Sequence, residues 1–343
     1  MSLADVEGQH HALESIKGSL ASQHIAHAWL FQGPEGVGKE LAALGFAQAL
    51  TCPEKPSVGC GTCSSCVRIQ KRNHPDVTWL MPEDEQVSRG LAGRSDFDHT
   101  PSRDIRIEQI RKLQERLAFR ALEAKHKVAL IITAHAMNAN AQNALLKTLE
   151  EPPRDTVLVL VSSAPDKLLP TIRSRCAKAQ FGPLAGELIA TKVMALKKKK
   201  FDPALAAQVA AMSGGSLSRA LALDTDALEA RKDIIERFEA LDRADARGWL
   251  QLAETLGEDR PTAETALDVL QAWFHDVGIA QVASTRVVNV DLLPLAQLAA
   301  TKVSPANLQR RSGLLDEARN AITQRNGSVK LQLERMFIEM FAT

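Results

Sequence analysis

The chain is 343 residues long, with 45% hydrophobic residues and a formal net charge of +1 at pH 7. That length allows two or three domains, the apolar fraction is ordinary for a globular chain, and near-neutral charge excludes a global field that draws the chain to nucleic acid or membrane. No apolar run approaches a membrane span, and Met1-Ser2-Leu3-Ala4-Asp5 lacks the basic-then-apolar pattern of a signal peptide, so the cytoplasm is the expected compartment.

In chain order, the pattern predicts a helix over 8–21 and a short buried strand over 28–32. That strand runs into Gly33-Pro34-Glu35-Gly36-Val37-Gly38-Lys39-Glu40, and a helix rich in Ala and Leu follows over 39–51. Strand, glycine loop and helix place backbone N–H groups and a helix N-terminus opposite a phosphate. Gly33, Gly36, Gly38 and Lys39 are the nucleotide-contacting candidates, with Lys39 reaching the β- and γ-phosphates. The last position of this motif normally holds Ser or Thr, whose hydroxyl ligates magnesium. Here it is Glu40. A carboxylate about 4 Å from a phosphate meets a repulsion of about 4 kcal/mol at an effective dielectric near 20. Glu40 can turn to solvent or touch a metal itself, and nucleotide retention stays open.

Four of the five cysteines come next, spaced Cys52-x7-Cys60-x2-Cys63-x2-Cys66 among Pro53, Pro56, Gly59 and Gly61. In a reducing compartment such spacing among turn residues favours zinc over disulfides. Four thiolates complete a tetrahedral shell with no open position, so the expected metal is structural. Reduced thiols or a redox switch are the alternative. His74 is a weaker candidate ligand, and Cys176 is expected among apolar neighbours.

Further along, the pattern gives a helix over 64–72, a strand over 76–81, a polar stretch over 82–104 that reads as a mobile surface loop, and a helix over 106–121. The strand over 127–132 ends in Thr133-Ala134-His135 with no acid, where phosphoryl transfer needs a carboxylate to hold magnesium and a group to orient water. This second loss in the same site argues against hydrolysis. A helix over 138–150 is stopped by Pro152-Pro153, and a strand over 156–162, a helix over 166–174 and a strand over 177–181 complete the segment. Strands alternating with helices predict an α/β domain with a mostly parallel sheet covered on both faces. Beyond Phe181-Gly182-Pro183-Leu184 the strand signal stops. A small helical segment is expected up to about 225, then helices over 226–241, 243–256, 261–282, 291–301, 304–324 and 327–341. The run Lys197-Lys198-Lys199-Lys200 reads as a solvated helix end, and His24 with His27 as core or capping residues rather than a metal pair.

Together with His27 through Pro34, the cysteine module, His74-Pro75-Asp76, Asn143 through Pro153, Ser174-Arg175-Cys176 and Asn326 through Leu331, the chain resembles the clamp-loader branch of the AAA+ superfamily over almost its whole length. The resemblance implies a RecA-like domain with a zinc module (52–66) over 1–182, a three-helix lid over 183–225 and a helical collar that mediates oligomerisation over 226–343. It implies a five-subunit ring with ATP at the subunit boundaries, so that Arg175 serves a neighbour in trans as an arginine finger. Arg219 matches the lid arginine that senses nucleotide in motor subunits. Glu40, Ile132 and Thr133 depart from the motor pattern. The resemblance therefore implies a non-hydrolysing ring member that helps open the sliding clamp and load it on primed DNA. An autonomous ATPase with atypical magnesium ligands is the alternative. Implied partners are the motor (gamma/tau) subunits and a delta subunit, and through them the clamp and primer-template DNA, with no membrane and no obligatory homo-oligomer. The implied cofactor is structural Zn²⁺, with ATP left open.

Overall fold

The computed structural model describes residues 2–22, 24–197, 201–242, 245–283, 287–323 and 327–341. Lys198, Lys199 and Lys200 of the lysine run, and Asn326, lie outside them. The chain divides into two compact units, Met1–Lys192 with Gly214–Arg219, and Val193–Ser213 with Ala220–Thr343.

The first unit is built on strands β1 (Ala28–Gln32), β2 (Val77–Leu80), β3 (Lys127–Ile131), β4 (Thr156–Ser162) and β5 (Ala177–Gln180), all parallel, in the order β2-β3-β4-β1-β5. Its helices, in chain order, are α1 (His10–Ser22), α2 (Lys39–Thr51), α3 (Ser64–Gln70), α4 (Glu83–Ser88), α5 (Ile107–Ala118), α6 (Ala139–Glu150) and α7 (Pro170–Arg175). Period-2 alternation divides each central strand between two cores. Phe31, Val128, Leu130, Val157, Val159 and Val161 pack with α1, α2 and Ile69 of α3. Leu30, Ala129, Ile131, Leu158 and Leu160 pack with α5, α6 and Ile172 of α7. Burial on both faces is why these strands read as continuous apolar runs rather than alternating ones. The α/β architecture expected from the sequence is the one observed, and the glycine loop over 33–38 lies at the exit of β1.

Two local expectations differ. The polar stretch over 82–104 is not simply a loop, because it opens with α4. Three acids, Glu83, Asp84 and Glu85, occupy the first turn of α4, where the helix dipole favours negative charge. Glu83 accepts from the Ser102 backbone N–H at 3.0 Å and pairs with His99 Nε2 at 2.8 Å, which ties the far end of the stretch back to the helix start. The helix expected over 166–174 is a 3₁₀ turn at Pro165–Lys167 followed by α7, which starts on Pro170 at its first position.

Beyond β5 the regular elements among the described residues are helices: α8 (Gly186–Lys197), α9 (Pro203–Met212), α10 (Leu217–Ala222), α11 (Thr225–Glu239), α12 (Ala246–Leu256), α13 (Arg260–Ala280), α14 (Leu293–Lys302), α15 (Pro305–Thr323) and α16 (Val329–Phe341). Aspartates start four of them. The side chains of Asp202, Asp224, Asp245 and Asp259 each accept a hydrogen bond from a first-turn N–H. The core of the second unit gathers around Trp273, Phe238 and Phe337, with Trp249 stacked on Phe341 at 5.4 Å between ring centroids. Among the described residues, no helix is long and apolar enough to cross a membrane.

Candidate functional site

The glycine loop turns on residues that need left-handed backbone. Gly36 and Gly38 have φ of +72° and +98°, and Gly38 caps the start of α2. Close approach adds a second constraint. A Cβ on Gly33 would lie 2.1 Å from the Phe181 carbonyl oxygen, and one on Gly36 would lie 2.0 Å from Ser218 Oγ and 2.3 Å from Ser216 Oγ. The Leu217 N–H donates to the Gly36 carbonyl at 3.0 Å, so the start of α10 rests directly on the loop. Gln9 braces the other side. It is buried, donates to the carbonyls of Val37 (3.1 Å) and Gly182 (2.8 Å), and accepts from the Gly182 N–H at 2.9 Å. Lys39 is buried and folds its ammonium onto the loop, donating to the Gly33 carbonyl at 2.8 Å and to that of Pro34. Burial lowers its pKa from 10.5 to about 8, against the opposing pull of Glu35.

The magnesium half of the site is differently furnished. Glu40, partly exposed, is held by two arginines. One of its oxygens accepts from Arg72 Nη2 at 2.6 Å, and both accept from Arg89 Nη1 at 2.8 Å. Arg89 pairs in turn with Glu85, whose second oxygen accepts from the Thr133 hydroxyl at 2.7 Å. Arg72 also lies over the Trp79 ring, 4.7 Å from its centroid. Thr133, which stands where a motor subunit would carry an acid, is thus linked to position 40 through Glu85 and Arg89. Magnesium needs near-octahedral oxygen coordination close to 2.1 Å. The residues present do not fit it, because both Glu40 oxygens are hydrogen-bonded to guanidinium groups and Ile132 and Thr133 offer no carboxylate.

The cysteines form the one compact metal-competent group found among the described residues. The sulfurs of Cys52, Cys60, Cys63 and Cys66 all lie within 4.8 Å of one another. Two edges of the cluster, Cys52–Cys63 and Cys60–Cys66, measure 3.8 and 3.9 Å. A Zn–S bond of about 2.3 Å sets tetrahedral sulfurs about 3.8 Å apart, so the donor set fits zinc. Backbone N–H groups of Lys55, Cys63 and Cys66 point at the sulfurs of Cys52, Cys60 and Cys63 at 3.3, 3.2 and 3.5 Å, which suits thiolates. Donation from the Cys63 and Thr62 amides lowers the Cys60 pKa to about 6, while burial pushes Cys66 up to about 12. His74 is not part of the group. Its Nε2 is engaged with Ser65 Oγ and its Nδ1 with the Asp76 N–H, each at 3.1 Å. Cys176 is buried against the core, as expected. His24 and His27 make separate backbone contacts, to Ser22 and Leu149.

Arg175 ends α7 with its side chain 37% exposed, donating to Glu150 Oε1 at 2.8 Å and to the Thr171 carbonyl at 3.1 Å. Arg219 is an exposed residue of α10, two positions past Leu217. The structure therefore gathers Gly33, Gly36, Gly38 and Lys39 in one loop and the four cysteines in another group, and holds Arg175 on α7. Sequence reasoning missed Arg72, Glu85 and Arg89 around Glu40, Gln9 behind the loop and Glu150 beside Arg175. Their partners lie 25 to 173 positions away, beyond the reach of a motif.

Residues 8–185 match the family model described as DNA polymerase III, delta subunit, and residues 225–340 match the one described as its C terminal. The DNA polymerase III subunit delta' of Pseudomonas aeruginosa is 33% identical over 98% of this chain and 98% of its own. The subunit delta' of Bacillus subtilis is 30% identical over 79% of this chain and 77% of its own. The tau subunit of Bacillus subtilis is 29% identical over 69% of this chain and 39% of its own.

Proposed function

The chain belongs to the delta-prime family of DNA polymerase III clamp-loader subunits, and on that premise we propose that it is a ring member that hydrolyses no ATP itself and activates a neighbour that does. The observation that carries this reading is the state of the Glu40 position. Its carboxylate is committed to Arg72 and Arg89, and the strand that should supply acids ends in Ile132 and Thr133. Phosphoryl transfer needs a metal-holding carboxylate and a group that orients water. Gly33, Gly36, Gly38 and Lys39 keep the shape of a phosphate cradle without that second half. The alternative, an autonomous ATPase, has one feature in its favour, since Glu85 lies beside Thr133 and offers an acid close to the vacant role. Arg89 holds both Glu85 and Glu40, which weighs against it.

Arg175 is the residue we assign to the neighbour. An exposed guanidinium at the end of α7, tied only to a half-exposed Glu150 and a carbonyl, can meet the charge that builds on a γ-phosphoryl group across a subunit boundary. Cys52, Cys60, Cys63 and Cys66 would hold a structural zinc ion, which supplies cross-linking of the segment between α2 and α3. We read 1–182 as the RecA-like domain, 183–225 as a lid carrying Arg219 and 226–343 as the collar. The partners in this reading are gamma/tau motors and a delta subunit, then the clamp and primer-template DNA, in the cytoplasm.

The test is reconstitution. Mixed with gamma/tau and delta subunits of the same source, the chain should co-elute as one complex on gel filtration. Clamp- and DNA-stimulated ATP turnover should depend on its addition. Failure to co-elute, or the same turnover without it, overturns the reading.

A further inference from the structure

The segment over 82–104 belongs neither to the sheet nor to the cysteine group. Its α-helix, α4, and the residue that caps it present Glu85 and Arg89 to the sheet end where the glycine loop and the exit of β3 converge. We propose that Arg89 takes the place of the divalent cation in this degenerate site, so that α4 and its terminal arginine hold the pocket closed to metal-nucleotide.

The argument rests on who occupies the oxygens. In a working phosphate loop, the residue at position 40 and the acid near position 133 share one metal ion. Here the same two positions are joined by a guanidinium. Arg89 Nη1 lies 2.8 Å from both oxygens of Glu40, Arg89 Nη2 pairs with Glu85, and Glu85 accepts from Thr133 at 2.7 Å. Arg72 supplies a second cation to Glu40 at 2.6 Å, so two positive groups face two carboxylates and their charges balance without an ion. These side chains are only 19% to 34% exposed, which makes the balance matter, since an unpaired charge there would be poorly solvated. A planar guanidinium satisfies two carboxylates with directed hydrogen bonds, a task for which a lysine ammonium is less suited. The grip is built for this position: α4 is itself anchored by Glu83 to Ser102 and His99, and Gln86 Nε2 donates to the Met81 carbonyl at 3.1 Å. The inference rests on the reading of this chain as a non-hydrolysing subunit, and it names the residue that keeps it so.

The test measures binding rather than turnover. Zinc-loaded protein, in which the cysteines are already occupied, is titrated with Mn²⁺–ATP, and protein-bound nucleotide is followed by equilibrium dialysis. Wild type should bind no Mn²⁺–ATP in the micromolar range. Arg89→Met leaves Glu40 and Glu85 short of a cation and should bind at least about tenfold more tightly. Arg89→Lys keeps the charge but loses the planar fork and should fall between wild type and Arg89→Met. Glu40→Ser restores the usual hydroxyl but leaves Arg89, so it should bind weakly, whereas Glu40→Ser with Arg89→Met should bind well. Arg89→Met no tighter than wild type, Arg89→Lys as tight as Arg89→Met, or Glu40→Ser alone as tight as the double variant would each overturn the role of Arg89. Micromolar binding by wild type would overturn the closed pocket, whereas the non-hydrolysing reading fails only on ATP turnover by the isolated chain, so the two failures are distinguishable.

Discussion

Arg175 and Glu150 allow the proposed trans role to be separated from a structural one. Their contact is 2.8 Å, and the two side chains are 37% and 52% exposed. An ion pair so exposed contributes about 0–1 kcal/mol, because water and salt screen it and both side chains lose rotamer freedom. Releasing Arg175 from Glu150 therefore costs at most about a fivefold factor. An arginine acting on a transferring phosphoryl group contributes on the order of 10³ to 10⁵ in rate in other systems, about 4–7 kcal/mol of barrier. The second quantity exceeds the first severalfold, so the pair acts as a resting place that the guanidinium leaves readily. In the reconstituted loader, Arg175→Ala should lower stimulated ATP turnover by about 10³ with gel-filtration assembly unchanged. Glu150→Ala should leave turnover within about fivefold of wild type, and on the high side. Thermal unfolding of the isolated chain should move by only about 1–3 °C in either variant. Turnover within threefold of wild type for Arg175→Ala, or an equal collapse in Glu150→Ala, would refute the reasoning.

Four further outcomes follow from particular residues. Lys39 titrates near 8 when folded and at 10.5 ordinarily. Between those values the unfolded chain binds more protons, so wild-type stability should rise with pH relative to Lys39→Met. Urea unfolding at pH 7.5 and 9.5 should show a relative gain of about 1 kcal/mol, allowing for solvent screening of part of the shift. Purified without chelators, the chain should carry one zinc ion per molecule by elemental analysis. Cys63→Ser should speed hydrogen exchange through 52–74 while β3 and β4 keep their protection, because those strands are buried by their own two cores. Asp76, finally, is buried and accepts the N–H groups of Leu122, Glu123 and Ala124 at 2.7–2.8 Å. Burial alone would raise its pKa, but the three amides hold it below 3.8. Asp76→Ala should cost on the order of 3 kcal/mol in urea unfolding at pH 7. That difference should shrink as pH falls below 3.8 toward the lowered folded pKa, where the wild type loses the carboxylate.

Much of the first unit was legible because its signals are local. Continuous apolar runs such as Val128 through Ile132 fix buried parallel strands. Gly33, Gly36 and Gly38 mark backbone that other residues adopt only with strain, and four cysteines within fifteen positions leave little else to expect than a clustered group. What escaped was whatever depends on distant charge. α4 has no apolar period to reveal it, and it forms because three acids suit its first turn and Glu83 gathers His99 and Ser102. Glu40 pointed to a lost metal ligand, but nothing in the motif said that arginines 32 and 49 positions away would claim its oxygens. The same holds for Ser216 and Ser218 against Gly36, a contact made possible only by a glycine and visible only once the chain has folded.

The central claim is that this pocket does not turn over ATP on its own. The most direct measurement is steady-state phosphate release from the isolated zinc-loaded chain with saturating Mg²⁺–ATP, comparing wild type with Lys39→Ala. The account predicts that both give the buffer rate. Sustained turnover by wild type that vanishes in Lys39→Ala would contradict it.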